Sequence, residues 1–263
     1  MIKKIVRNIK KNKIYSIMLN RFYAFLKLYD KNITLYPDLL DDFVWNKILV
    51  LTPHADDETL GCGGLLIKAI RKNKTVKIVL FSDNSDSLPD ENKDTVIEIR
   101  LNEFKKAMEV IGIQNYVNLN LSQKDFFLSE NVILNLDKII NDFKPDVILI
   151  PSFLDNHEQH RLLNLIFYNV CKTIYFSPDI LMYEVWSPLI PNLVVDISDV
   201  VEKKIEAIKC YESQLKYINY LDTIIGLNSY RSITNLHGKG YCEGYLLLKF
   251  DDYIKLGNKV FEK

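Results

Sequence analysis

One imidazole and three carboxylates, His54, Asp56, Asp57 and Glu58, crowd into the stretch Leu51-Thr-Pro-His-Ala-Asp-Asp-Glu-Thr-Leu-Gly-Cys-Gly-Gly64. Adjacent Asp56 and Asp57 repel each other unless a cation or a shared proton compensates. A second group stands in Pro151-Ser-Phe-Leu-Asp-Asn-His-Glu-Gln-His-Arg161, where His157 and His160 are three apart. On one turn of helix that spacing puts both rings on one face. The chain has four histidines, and three of them fall in these two stretches; the fourth is His237. A divalent metal accounts for the pattern, because catalytic zinc takes three protein N/O ligands and leaves one position open. Two histidines and one carboxylate would leave the other carboxylate free as a general base. The alternative is a pair of surface histidines at a helix start, with Asp155 as its N-cap.

The elements around these residues place both groups at strand ends. Lys47–Thr52 is a short apolar run ahead of the first group, and a helix is expected at about 62–73 after it. Val76–Phe81 reads as a second buried strand, followed by the polar loop Ser82–Asp90. A helix is expected at 94–111 and stopped by Gly112, then a strand at 116–121, a helix at 132–143 and a buried strand at 147–150, directly before His157. Alternation of this kind predicts an α/β fold, Rossmann-like and doubly wound, with a mostly parallel sheet and helices on both faces. Ligands of such sheets bind beyond the carboxyl ends of the strands. Later, 181–186, 193–197 and 245–250 read as strands and 200–215 as a helix. Gly61-Cys-Gly-Gly64 lacks the full G-x-G-x-x-G spacing of a nucleotide turn. His237 belongs to a glycine-rich loop, as a surface residue or a cover for the site, and Trp186 reads as a core, rim or sugar-pocket residue.

With 263 residues, 48% hydrophobic and 26% charged, the chain has the length and core of one α/β domain. Lys+Arg and Asp+Glu both total 34, but eight basic and no acidic residues lie within 1–27. We expect a basic amphipathic N-terminal segment over 1–45 and the main domain over 46–263. The segment either packs on the domain or lies on an anionic membrane surface. No stretch reaches the ~20 apolar residues of a membrane span, and charges interrupt any signal-like run. Cys62, Cys171, Cys210 and Cys242 form no C-x-x-C pair, which points to reduced thiols in the cytoplasm.

The two groups resemble the motifs of the PIG-L/LmbE-like N-acetylglucosaminyl deacetylases. The family's P-H-[PA]-D-D-E reads Pro53-His-Ala-Asp-Asp-Glu58 here, and its D-x-H-x-x-H reads Asp155-Asn-His-Glu-Gln-His160. Gly61-x-Gly-Gly64, Arg100-x-x-Glu103, Lys204-x-x-Ala207, Tyr211-x-Ser213-Gln214, Arg231 and Gly240–Glu243 add weaker matches. The resemblance implies one zinc, or another divalent ion, held by His54, Asp57 and His160, with Asp56 as the general base. It implies that His157 stabilises the tetrahedral oxyanion or protonates the leaving amine. Glu58, Arg100, Asp155 and Glu243 would bind substrate or support the ligands. Two positions depart from the pattern: Ala55 stands for the commoner proline, and Gln159 for an aspartate that would bear on His157.

The implied activity is zinc-dependent hydrolysis of the acetamide of an N-acetylated amino sugar, giving acetate and a free amine. The substrate would be an N-acetylglucosamine-type glycoside, nucleotide- or lipid-linked, used in glycan or glycoconjugate biosynthesis. Alternatives are a deacetylase of a thiol-precursor glycoside or antibiotic intermediate, and a non-catalytic glycan-binding protein on the same fold. Intact His54, Asp56, Asp57 and His160 argue against the last. No nucleic-acid partner is expected; residues 1–27 would supply any peripheral contact with the inner face of an anionic membrane.

Overall fold

The computed structural model describes residues 36–262. The basic segment 1–27, and with it the expected membrane contact, lies outside the described residues. Chain order runs β1 (Asp38–Leu39), β2 (Lys47–Thr52), α1 (Asp57–Arg71), β3 (Thr75–Ser82), α2 (Lys93–Ile111), β4 (Tyr116–Leu121), α3 (Glu130–Phe143) and β5 (Val147–Pro151). It continues with α4 (Glu158–Val170), β6 (Asp179–Tyr183), β7 (Leu193–Asp196), α5 (Val201–Lys209), α6 (Glu212–Leu215) and α7 (Tyr220–Arg231). The last elements are α8 (Ile233–Leu236), β8 (Cys242–Leu248) and α9 (Phe250–Val260).

The strands form one eight-stranded sheet in the order β1-β7-β8-β6-β5-β2-β3-β4, parallel except for β8 against β6 and β7. Successive residues of β2 feed opposite faces. Ile48 and Val50 join the core under α1, α2 and α5, while Leu49 and Leu51 join the one under α3, α4 and α9. Burial on both faces explains why the parallel strands read as continuous apolar runs rather than alternating ones. The expected doubly wound, mostly parallel sheet is the observed fold.

The chain leaves β2 toward β3 and β4 on one side, then returns to place β5 on the other side, with Ile48 beside Val147 and Val50 beside Leu149. This reversal is the switch point of the sheet, where open α/β folds form their ligand crevice. The two histidine motifs, about a hundred residues apart in sequence, therefore leave neighbouring strand ends.

Several boundaries differ from the sequence reading. The connector before β2 carries the edge strand β1, which pairs with β7, and Phe43 and Trp45 behind it are buried. The helix expected from about 62 begins at Asp57, so the glycines at 61, 63 and 64 all lie inside it. Contact, not turn geometry, requires them: a methyl at Gly61 would strike the Tyr183 ring, and one at Gly64 would strike Ile197. The helix expected over 200–215 is two pieces, α5 and α6. Among the described residues no helix is long and apolar enough to cross a membrane, and all four cysteines are free thiols.

Helix α1 is kinked at Cys62, where φ is −142°. The Glu243 carboxylate accepts from the Gly64 and Leu65 amides at 2.7 and 2.8 Å, and from the Tyr245 hydroxyl at 2.7 Å. Lys204 Nζ donates to Glu243 Oε1 at 2.7 Å, to Asn228 Oδ1 at 3.0 Å and to the Leu60 carbonyl at 2.9 Å. The pair is fully buried and bridges both sides of the kink. Removing one partner leaves an uncompensated buried charge, so Lys204→Met is expected to destabilise the fold by about 3–5 kcal/mol. Chemical denaturation at constant pH checks this; a loss under about 1 kcal/mol would mean the pair does not brace the kink.

Candidate metal centre and active site

The loop between β2 and α1 carries His54 and Asp56, and α1 begins with Asp57 and Glu58 in its first turn, where carboxylates are favoured by the helix dipole. Beyond β5, His157 caps the start of α4 and His160 lies in its first turn. Asp155 accepts from the His157 amide at 2.8 Å, tying this turn down, and from the Trp186 amide at 3.0 Å. His157, not Asp155, is thus the residue at the helix start.

The histidine rings converge. Centroids lie 4.7 Å apart for His54–His157, 4.8 Å for His157–His160 and 5.5 Å for His54–His160. One ligand atom from each of the three lies within 4.8 Å of the others. Asp57 is closer still: its Oδ2 is 3.0 Å from His54 Nδ1 and 3.2 Å from His160 Nε2. Tetrahedral zinc with bonds of about 2.0–2.1 Å separates its ligand atoms by roughly 3.3 Å. His160 is fully buried, yet neither of its ring nitrogens has a hydrogen-bond partner among the described residues. The donor set and the orphaned His160 Nε2, which faces Asp57, fit a divalent cation between His54, Asp57 and His160. Asp155, 3.4 Å from His160 Nδ1, stands behind that ring on its far side.

Electrostatics mark the same spot as one that favours positive charge. Burial works to raise Asp57, but the His160 and His54 imidazoles overcome it and hold its carboxyl well below the usual range. Burial works to lower His160, yet Asp57 and Asp155 push it up to about 9. His157 goes the other way, down to about 4, through burial and the neighbouring His54 and His160. Its Nδ1 is buried without a hydrogen-bond partner among the described residues.

Asp56 is buried beside Asp57 and raised to about 6, chiefly by burial, with Arg100 opposing. Arg100 donates through Nη2 to Asp56 Oδ2 at 2.9 Å and to the Ala55 carbonyl at 2.5 Å, and through Nη1 to Glu103 Oε2 at 3.1 Å. Glu103 in turn accepts from the Ser213 amide and hydroxyl at 2.6 and 2.8 Å. Arg100 therefore orients the Asp56 carboxylate from α2. Glu58 turns away from the rings: its carboxylate accepts from Tyr211 Oη at 2.6 Å, Thr59 Oγ1 at 2.8 Å and Thr52 Oγ1 at 3.2 Å. Burial raises Glu58 to about 7. Glu58 and Glu243 both brace α1 rather than line the cavity.

That cavity, of about 260 Å³, opens over His54, Asp56, Asp57 and His157. Sequence reasoning missed Asn84 from the loop after β3 and Tyr220 from α7 in its wall, and gave Gln214 from α6 only as a weaker match with no role. Asn84 Oδ1 accepts from the Ala55 amide at 3.1 Å, pinning the loop where the commoner proline is replaced. For Asn84 the available signal was the run of Ser, Asp and Asn at a strand's carboxyl end.

Gln159 touches His54, where the sequence placed its influence on His157. Its Oε1 accepts from His54 Nε2 at 2.5 Å. With the proton on Nε2, the Nδ1 lone pair faces Asp57 and His160, as a ligand must. Gln159→Ala is expected to weaken metal binding about 10–100-fold, the usual effect of losing a partner that orients a ligand. Competition with a chelating dye measures this; unchanged affinity would show that His54 needs no such partner.

Residues 49–171 match the family model described as PIG-L: GlcNAc-PI de-N-acetylase. A diacetylchitobiose deacetylase of Thermococcus kodakarensis is 26% identical over 186 residues, covering 64% of this chain and 70% of that one. The structure of N,N'-diacetylchitobiose deacetylase from Pyrococcus horikoshii superposes with a TM-score of 0.69 at 22% identity, over 78% of this chain and 84% of that one. The 4-carboxy-2-hydroxymuconate hydratase GalB from Pseudomonas putida KT2440 superposes with a TM-score of 0.68 at 18% identity, over 77% of this chain and 96% of that one. These two structural likenesses establish the shared fold.

Proposed function

We propose, from the match of residues 49–171 to the PIG-L family model, that the protein is a metal-dependent deacetylase of an N-acetylated amino sugar. The observation that carries the reading is the Asp57 carboxylate oxygen set between His54 Nδ1 and His160 Nε2, with its chain neighbour Asp56 also lining the cavity. Deacetylase names among the relatives support it. His54, Asp57 and His160 would hold the ion, and the N/O donor set suits zinc. Such an ion supplies Lewis acidity, polarising an amide carbonyl and making water more acidic.

The chain's own residues do the rest. Water adds to the acetamide carbonyl carbon, Asp56 accepts its proton, and a tetrahedral oxyanion forms. The C–N bond then breaks, the nitrogen gains a proton, and acetate and the amine leave. A carboxylate raised to about 6 is a better base than an exposed one and is still largely ionised at neutral pH. The Arg100 bond fixes its direction. His157, lowered to about 4, is neutral at that pH and offers an N–H to the oxyanion; this favours stabilisation over proton delivery to the amine. Asp56 would carry that proton to the leaving nitrogen.

Acetate release from a panel of N-acetylhexosaminides, with and without prolonged chelation, tests the reading. We expect release that chelation abolishes and added zinc restores. Turnover indifferent to chelation would remove the metal, and sugar binding with no acetate from any member would favour a glycan-binding role.

A further inference from the structure

The cavity lining combines two unlike groups of residues. Trp186, in the loop after β6, is 44% exposed although it lines the cavity. Its ring lies 6.2 Å from His157 and 6.4 Å from Tyr220, which packs edge-on and steadies it. Its backbone amide is tied to Asp155, the same carboxylate that accepts from the His157 amide. An aromatic face at the cavity mouth is thus fixed in register with the catalytic turn. An amphipathic ring of this kind offers an apolar face to a ligand beside its polar groups.

The loop after β3 supplies another part of the lining, including Asp83 and Asp86. Asp86 pairs with Lys93 at 2.6 Å, whose charge also reaches Asp83, and Asp83 Oδ1 accepts from the Ser85 amide. Ser87 Oγ, also lining the cavity, is buried with no hydrogen-bond partner among the described residues. A buried hydroxyl without a partner is what a ligand hydroxyl can satisfy. The charged side chains lining the cavity are Asp56, Asp57, Asp83, Asp86 and Arg100; Arg100 and a cation at Asp57 would offset Asp56 and Asp57, which leaves Asp83 and the Lys93-paired Asp86 as the remaining acidic groups.

We propose that this mouth is a subsite for an uncharged pyranoside, stacked on Trp186 with its hydroxyls turned to Ser87 and Asp83, and that it disfavours sugars carrying a phosphate beside the acetamido ring. The proposal rests on the deacetylase reading and narrows its substrate class: the nucleotide- and phospholipid-linked sugars consistent with the motifs alone would bring a phosphate against the Asp83 wall. Carboxylates facing an anion select against it in the same way that like charges reject a wrong partner.

The test compares N,N'-diacetylchitobiose, N-acetylglucosamine 1-phosphate and the ring-free acetamide N-acetylethanolamine as substrates of the full-length, metal-loaded protein. The wild type is expected to prefer the neutral disaccharide over the phosphate sugar by about tenfold or more in kcat/KM at low salt. Asp83→Asn combined with Asp86→Asn should narrow that ratio several-fold, as should raised salt. Trp186→Ala should lower the ratio of disaccharide to ring-free acetamide about tenfold, mainly through KM, and Trp186→Phe should restore most of it. Equal or better use of the phosphate sugar by the wild type overturns the proposal. So does a Trp186→Ala protein, natively folded by circular dichroism, whose disaccharide ratio is unchanged. If no acetamide is hydrolysed, the deacetylase reading fails by itself. Calorimetric binding of the same disaccharide and phosphate sugar then decides the subsite, with preference for the neutral ligand supporting it and preference for the phosphate overturning it.

Discussion

Asp56→Asn is expected to lose about 10²–10⁴-fold in kcat while keeping its metal, the range that removal of a general base produces. The amide is nearly the same shape, so it fits the buried site, but it cannot accept a proton from water. Arg100 would still hold the Ala55 carbonyl and Glu103, which keeps the loop in place. Asp57 and the two histidines facing it do not depend on Asp56 for their positions. Acetate release gives kcat, elemental analysis gives metal content, and thermal unfolding reports whether the fold is intact. A variant with full metal and activity within about tenfold of the wild type would take the base role away from Asp56.

Asp57→Asn is expected to fail for the opposite reason. Its carboxylate is the one formal negative charge placed between two imidazoles, and its Oδ2 also accepts from the His54 amide at 3.0 Å. Neutralising it removes both a ligand charge and the attraction that draws a cation to the cluster. Metal affinity should fall by more than the ~10–100-fold typical of residues that merely orient ligands, and activity should return in part when excess zinc is supplied. Competition with a dye of known affinity is the measurement. Were Asp57→Asn to bind metal as tightly as the wild type, the ion would belong to His54, His157 and His160, whose ligand atoms also lie within 4.8 Å of one another. His157 would then be a ligand and not a partner of the oxyanion. If Asp56→Asn lost the metal and Asp57→Asn kept it, the two roles would have to be exchanged.

These variants are worth making because the ligand candidates were already visible in the sequence. His54, Asp56, Asp57, His157 and His160 could be picked out because polar residues at the end of an apolar strand are costly without a function, and the pattern of buried strands is local. The alternation of strands and helices foretold the doubly wound sheet for the same reason: each element's periodicity is written in a dozen or so neighbouring residues.

What the sequence left open depends on contacts between distant segments. That β5 lies beside β2 follows from the reversal of strand order, and only this brings His160 within 3.2 Å of Asp57. The glycines at 61–64 read as a turn because glycine favours turns, yet they serve close packing against Tyr183 and Ile197, partners more than a hundred residues away. The sequence leaves Glu243 as either a substrate or a supporting residue; the fold sets it at the kink at Cys62, paired with Lys204. Gln159 looked like a neighbour of His157, since the two share a turn of chain; the start of α4 instead aims its carboxamide across the site at His54. Residue types and local spacing, which set propensity and charge, determined the chemistry available to this protein. The tertiary structure decided which of those groups face one another, because direction and distance between strand ends are properties of the assembled sheet.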